Sequence, residues 1–520
     1  MLTLRAPEYK NLGYIWGPKN SQFESSWLQF ADDAVIISNN SQNTQPLVNL
    51  FLAWTKWADM KIRLDKCQTF GMAKRKNCFT QIIPSIFIGR DAIPAIPIGD
   101  SFTYLGKIFN FTMKNEEAKE ALSTKLKSLL NVTNNLEISA QTKLRILKEF
   151  ITSQISFELK TYNFSKTWIE AELDSMANKH IRDWLKLPIC ACIEEFKSLP
   201  KHSCGLGIQS FTFIHSKLFL SKRFSLKNNI NQEMQQIWQA THHKHIEIDS
   251  LMANRTLDES LKEHKLQGQH KSKSHVESLI SQGIISNSID GVISNKLIQE
   301  WSNATWALPE CIFQFTRKSL LQLLPTAANL HRWKRSDNPS CSLCQRGIRQ
   351  TNKHVLSNCS SPSALTRYTK RHDAILSIIV QWIQSQNPKN STIHADIDDA
   401  DLNPIVEVFQ PNVRPDLVIV QNRQIFVLEL TVCHETNLVN SFKYKTEKYK
   451  NLNQFLQPKF INFPVNYFPF EISVHGFMTN NLRTFLANIK LHEFPLNLRT
   501  KMIRSVIFSS FDIYKHRDIQ

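Results

Sequence analysis

The chain has 520 residues, 42% of them hydrophobic, with a net charge of +18 and a pI near 9.4. That length predicts several domains, and that charge favours nucleic acid as a partner, because Lys and Arg replace counterions along phosphates. No apolar run approaches the length of a membrane span, the N-terminus lacks a signal-peptide core, and ten unevenly spaced cysteines do not read as a secreted disulfide framework. No membrane is expected as a partner.

Near the start stands LQFADDAVIIS, residues 28–38. Two adjacent acids, Asp32 and Asp33, interrupt a strongly β-forming run. One reading is a hairpin, with Leu28 to Ala31 and Ala34 to Ser38 as strands and Asp-Asp as the turn. The other is a hairpin whose tip holds a divalent cation, since Mg²⁺ takes hard oxygen ligands and relieves the repulsion between the acids.

PLVNLFLAWTKWAD repeats apolar residues at a helical period. KIRLDKCQTFGM alternates like a strand, and SFTYLGKIFNF, 101–111, is a short β segment. From 112 to 205 the pattern is helical and basic. Ser139 can cap a helix whose apolar stripe is Leu144, Leu147, Ile151 and Ile155. Residues 225–305 are polar, with KEHKLQGQHKSKSH as linker or exposed helix. Residues 310–335 look helical, and from about 373 helix and strands recur. No internal repeat is evident.

SCSLCQRGIRQTNKHVLSNCS carries Cys341, Cys344, His354 and Cys359 with the spacing C-x2-C, nine residues, H-x4-C. A C-x2-C pair delivers two thiolates from one tight turn, and His354 with Cys359 can complete a tetrahedral zinc shell. With all four positions filled by protein, the role is structural, or it presents Arg346, Arg349 and Lys353 to phosphate.

RPDLVIVQNRQIFVLELTV reads as two strands joined by a polar turn. Asp416 opens the first. In the second, alternation places Ile425, Val427, Glu429 and Thr431 on one face. A lone Glu in so apolar a strand needs a partner or a metal. In the following helix Leu438, Phe442, Lys445, Tyr449, Leu452 and Leu456 share a face, so Lys445 points inward, with Lys448 at the margin. An Asp, a Glu and an inward Lys on adjacent elements suit a metal-dependent nuclease: the acids hold Mg²⁺, and the lysine orients water and stabilises the phosphate. The alternative is a buried Glu429–Lys445 salt bridge.

Taken in order, these parts resemble the C-terminal half of non-LTR retrotransposon polyproteins that carry a restriction-like endonuclease. LQFADDAVIIS resembles the FADD box of reverse transcriptases. WADMKIRLDKCQTFGM resembles the next polymerase segment, where Lys66 matches a lysine near the leaving pyrophosphate, and YLGKIF resembles the primer grip. LPTAANLHRW, the Cys/His knuckle, RHD at 371–373 and RPD…E…K follow. The usual nuclease lysine lies two residues after the Glu. Here that place is Thr431, and Lys445 or Lys448 from the helix would substitute, a displacement the retrotransposon endonucleases share.

The resemblance implies an α/β plus α fold in five parts: a truncated reverse-transcriptase palm (1–110), a helical thumb (111–210), a helical connector (211–335), a zinc knuckle (336–372) and a PD-(D/E)XK-like α/β nuclease domain with a mixed sheet (373–520). It also implies target-primed reverse transcription, in which the nuclease nicks chromosomal DNA and a polymerase copies element RNA from the freed 3′-OH. Asp32, Asp33, Asp416 and Glu429 would hold Mg²⁺ (or Mn²⁺), and Arg371 would join Lys66 and the knuckle's Arg346, Arg349 and Lys353 on nucleic acid. Location would be nuclear, and dNTP the one small-molecule substrate of a complete polymerase. The family takes a further metal-binding Asp from a strand well upstream of the FADD box, and only 31 residues precede Asp32. The expectation is therefore a working endonuclease joined to an incomplete polymerase. The alternative is an inactive or domesticated nucleic-acid-binding relic.

Overall fold

The computed structural model describes residues 9, 11–17, 22–75, 78–386, 388–397 and 402–518. Two compact units interleave along the chain. One comprises Met1–Val132, Glu149–Ser175 and Phe211–Gln267; the other comprises Thr133–Lys148, Met176–Ser210 and Gly268–Gln520. Of the segments read from the sequence, 111–210 and 211–335 each contribute residues to both units. The reason is long-range pairing. In the second unit Gln314 donates to the Trp184 carbonyl, and Gln141 donates to that of Leu308.

In the first unit, β1 (Trp27–Phe30) and β2 (Asp33–Ile36) form an antiparallel hairpin with Phe30 opposite Asp33. The turn is Ala31–Asp32, not Asp32–Asp33 as the sequence led us to expect. Ala31 takes φ of 53°, which shifts the turn by one residue and puts Asp33 into the strand. Helix α1 (Ser41–Trp57) starts where the Asn40 side chain accepts the Asn43 N–H at 2.8 Å, which satisfies one of its unpaired amides. Of the expected strand at 61–72 only the end forms: Leu64–Lys66 is a short 3-10 turn, and the strand begins at Gly71. β3 (Phe102–Tyr104) and β4 (Lys107–Phe109) make a second hairpin. Gly106, at φ 75°, turns it beneath the Phe157 ring, 3.2 Å from where a Cβ would stand, so any other residue would be strained there and crowd the ring.

Every sheet described before residue 110 is two-stranded. Its buried hydrophobic side chains are few (Leu47, Val48, Ile86, Ile96), while Phe30, Phe79 and Ile98 are exposed. The core of this unit lies in its helices: Leu122, Leu126 and Leu130 of α2 (Glu116–Asn135), Ile155 and Leu159 of α3 (Thr152–Thr161), and Phe211, Ile214 and Leu220 of α4 (Phe211–Lys227). Ser139 accepts from the Thr142 N–H as expected of a cap, and the stripe Leu144, Leu147, Ile151, Ile155 is buried throughout.

The second unit is built on a four-stranded mixed sheet. β5 (Ser391–Ala395) pairs antiparallel with β6 (Leu417–Gln421), which pairs antiparallel with β7 (Gln424–Cys433), which pairs parallel with β8 (Val465–Ser473). The β6–β7 turn is Asn422–Arg423, both at positive φ, the geometry that matches strand twist in two-residue hairpins. Before the sheet come α5 (Asn295–Trp306), α6 (Glu310–Leu320) and α7 (Pro362–Gln386). α8 (Leu438–Lys448) joins β7 to β8, and α9 (Asn481–Asn488) and α10 (Leu496–Lys515) follow.

Alternation divides the sheet as expected. Val427 and Ile425 pack with Tyr449, Leu452 and Leu456 in one core. On the other face Phe468, the register partner of Leu428, meets Phe485 of α9 with ring centroids 5.5 Å apart. α7 and α10 pack on each other, and Ile375, Leu376, Ile379, Met502, Ile503 and Val506 are essentially inaccessible, each worth roughly 1.5–3 kcal/mol of burial. Phe442, expected inward, is 41% exposed: the helix face rolls outward there, and only Leu438 and Lys445 of the expected stripe turn in before the helix ends at Lys448.

A buried polar chain braces α6 to the strand ends. His475 Nδ1 donates to Glu435 Oε1 at 2.7 Å, and His475 Nε2 lies 2.6 Å from Ser319 Oγ. The Trp301 indole donates to the His475 carbonyl at 2.6 Å. All four residues are at most 1% exposed. The order Ser–His–Glu matches a nucleophilic triad, but no substrate can reach it, so its role is structural. Burial alone would raise the Glu435 carboxyl. The charge and hydrogen bond of His475 hold it down to about 2.

Candidate functional site

The Cys/His segment folds around its own ligands. Cys341 N–H donates to the Ile348 carbonyl at 2.8 Å, Ser340 bridges Arg349, and Gln345 and Gly347 take positive φ to close the turn. His354 opens a wide helical turn that ends before Cys359. Cys341 Sγ lies 3.9 Å from Cys359 Sγ, and Cys344 Sγ lies 3.6 Å from His354 Nε2. All four donor atoms fall within 4.8 Å of one another.

Tyr368 of α7 holds this segment from below: its hydroxyl donates to the Val355 carbonyl at 2.7 Å and receives the Cys359 N–H at 3.2 Å. Burial pushes the Cys341 thiol up to about 11 and lowers the His354 pKa, which favours the neutral imidazole. Three thiols and one imidazole drawn this close, with few other apolar residues to hold them, fit a tetrahedral Zn²⁺. Arg346 and Arg349 are exposed beside it. Lys353 is half-buried and donates to Asn437 at 3.1 Å.

The acid–lysine residues converge at the β6–β7 ladder. Leu430 N–H donates to Asp416 Oδ2 at 2.7 Å, and Asp416 N–H points to Glu429 Oε2 at 3.4 Å. The two carboxylates are thus locked to each other's strands. Glu429, 3% exposed, accepts at Oε1 from the Tyr449 hydroxyl at 3.0 Å and from the Lys445 ammonium. Burial raises the Glu429 carboxyl and the Asp416 charge raises it further, while Lys445 and Tyr449 pull it back.

The salt bridge considered as the alternative reading is therefore present. What it does not account for is a second carboxylate on Glu429's other side. Two carboxylates on adjacent strands offer the kind of oxygen donors a hard divalent cation takes. Lys448 is exposed and donates instead to the Tyr449 hydroxyl at 3.0 Å, so of the two candidate lysines it is Lys445 that meets the acid.

Three of the other sequence-derived positions are on the surface. Asp32 and Asp33 are exposed on the β1–β2 hairpin, and Lys66 is exposed on its 3-10 turn. Asp33 is close enough to Tyr104 of β3 for its charge to add to burial in raising that phenol. Among the described residues only the Cys/His cluster gathers three or more metal-type side chains within ligand distance, so no third carboxylate joins Asp32 and Asp33. Arg371 is a correction. It is 2% exposed, donates to Ser510 at 3.1 Å and lies over the Tyr368 ring. Burial lowers its pKa to about 10. Its guanidinium holds α7 to α10 and does not reach a nucleic acid.

Sequence reasoning passed over three neighbours of the acids. His372, next to Arg371, sets Nε2 3.3 Å from Asp416 Oδ2 and Nδ1 3.0 Å from Asp373 Oδ1. Burial disfavours its charge, but the two carboxylates outweigh that and raise it to about 9, so it is an imidazolium at neutral pH. Tyr449 was read as packing only. Glu471 of β8 is fully buried and pushed up to about 7 by that burial. The argument that singled out Glu429, a lone acid in an apolar strand, applies equally to Glu471 in VNYFPFEIS.

No protein-family model matches the chain. It is 20% identical over 401 residues to the retrovirus-related Pol polyprotein from type-1 retrotransposable element R2 of Nasonia vitripennis, a match covering 74% of this chain and 35% of that protein. The chain thus spans about a third of the length of that curated relative. No helix among the described residues is long and apolar enough to cross a membrane. Across 74% of its length the chain is similar to a retrotransposon polyprotein, the family its ordered motifs resemble.

Proposed function

We propose that the sheet domain at 373–520, with His372, is a metal-dependent DNA endonuclease that nicks chromosomal target DNA. It belongs to a retrotransposon-derived protein that serves target-primed reverse transcription in the nucleus, with element RNA as the second partner. The observation that carries this reading is the convergence of Asp416, Glu429 and Lys445 at one ladder position. Mg²⁺ (or Mn²⁺) held by Asp416 and Glu429 would activate water and neutralise charge on the scissile phosphate. Lys445 orients the nucleophile and meets developing negative charge. His372 aims Asp416 through its contact with Oδ2.

The Cys341, Cys344, His354, Cys359 centre holds Zn²⁺ structurally and presents Arg346 and Arg349 to phosphates. Residues 1–110 and 111–210 derive from a palm and thumb. Polymerisation by this chain alone is not part of the reading, because Asp32 and Asp33 stand as an exposed pair on a two-stranded sheet. Incubating the purified chain with supercoiled plasmid and Mg²⁺ tests it: nicking that EDTA stops supports the endonuclease, and tight DNA binding without any nick sinks it in favour of a binding relic.

A further inference from the structure

The face of the sheet that carries Glu429 carries a second buried acid. In the parallel ladder Glu429 is opposite Pro469 and Thr431 is opposite Glu471, so alternation sets Glu429, Thr431 and Glu471 on one face. α8, which bears Lys445, packs on both strands. Glu471 Oε2 receives Asn481 Nδ2 at 3.4 Å, while Glu471 Oε1 has no hydrogen-bond partner among the described residues. The Thr431 hydroxyl beside it is likewise unpaired. A fully buried carboxylate oxygen without a donor is costly and calls for a cation or a proton. Lys445 is close enough for its charge to act on Glu471, yet its hydrogen bond is spent on Glu429.

One ammonium therefore acts on two buried carboxylates, and hydrogen-bonds only one of them. We propose that Glu471 is a positioning residue, a second station that receives Lys445 when Glu429 takes up a divalent cation. The inference rests on the endonuclease reading above. Lys445 cannot keep its full attraction to Glu429 once that carboxylate is shared with a doubly positive ion, because like charges repel. Its four-carbon stem has rotatable bonds enough to swing. Glu471, anchored by Asn481, offers an unused oxygen on the same face. Lys445 stays close to the acids and is freed to meet a phosphate.

The test is Mg²⁺ binding by isothermal titration calorimetry to the full zinc-loaded chain without DNA, so that it does not depend on cleavage. Glu471→Gln should weaken Mg²⁺ binding about tenfold, the scale of coupling between neighbouring charges, because Lys445 then has nowhere to go. Lys445→Met should tighten binding, and in that background Glu471→Gln should have no further effect. Unchanged affinity in Glu471→Gln overturns the inference. Equal weakening with and without Lys445 also overturns it, and makes Glu471 a ligand or a prop for the fold. Should Glu471→Gln not fold, Asn481→Ala, which loosens the anchor and keeps the acid, should weaken binding in the same direction, and its failure to do so counts equally against the proposal. If the unaltered chain binds no Mg²⁺ at millimolar concentrations, the endonuclease reading itself falls.

Discussion

The chain carries two pairs of acids that a sequence reader treats alike, and the fold treats them differently. Asp32 and Asp33 sit at the turn and the first strand residue of a two-stranded hairpin, open to water, and among the described residues meet no hydrogen-bonded cation. Asp416 and Glu429 lie inside a four-stranded sheet, each fixed by a backbone amide from the other's strand, with His372, Lys445 and Tyr449 closing around them. In water two adjacent carboxylates are merely solvated. In a buried site their mutual repulsion must be answered by specific partners, and those partners give the site its geometry. A motif supplies residue types; a chemically competent site also needs a frame that keeps them from water.

Four expected outcomes can break or sharpen that contrast. The largest concerns the frame. If the Cys/His centre holds zinc as proposed, chelating it, or replacing one ligand by Cys341→Ser, takes away what that segment packs around. Because zinc binding of such segments is worth on the order of 10 kcal/mol, we expect 336–361 to unfold, seen as loss of amide-exchange protection there and a clear drop in Tm.

Next is the buried brace. Glu435→Gln leaves His475 without its acid and should cost about 3–5 kcal/mol in urea denaturation. The sign with pH follows from the Glu435 carboxyl being held at about 2 against an ordinary 4.5. The stabilisation from that carboxylate is complete above pH 4.5 and is lost as pH falls toward 2. The Gln variant should lack this part of the acid dependence.

Third, Lys445→Ala should slow nicking on the order of 10²- to 10³-fold with DNA affinity nearly unchanged, whereas Lys448→Ala should change the rate by less than about threefold, since Lys448 reaches only the Tyr449 hydroxyl. A reversal would move the catalytic lysine by one turn. The smallest concerns His372. Its replacement by Gln removes a charged partner of Asp416 and should slow nicking roughly tenfold. A gel-based time course at saturating Mg²⁺ reads both.

How much of this could be read without coordinates depends on range. The Cys/His centre was legible because its ligands fall within 19 residues, 341 to 359, and metal spacing is a local property. The β6–β7 hairpin and the inward Lys445 were legible from alternation and helical period. His372 was not, because its role exists only where α7 crosses the start of β6, and nothing in RHD announces that contact. Its neighbour Arg371 misled for the converse reason: Arg next to a knuckle reads as a phosphate ligand, and only packing between α7 and α10 shows it inside. Glu471 was within reach of the rule that found Glu429, but VNYFPFEIS, rich in aromatics and broken by Pro469, does not present itself as a core strand. The one-residue error in the first hairpin came from Ala31, whose positive φ no propensity favours.

The most direct measurement compares the two acid pairs in one assay. Plasmid nicking rates would be taken for the unaltered chain, for Asp416→Asn, and for a chain with both Asp32→Asn and Asp33→Asn. Our account expects Asp416→Asn to lose at least about 100-fold, and the double change to leave both the rate and the melting temperature where they were. A plasmid still nicked at full rate by Asp416→Asn, or nicking lost with the N-terminal pair, would contradict it.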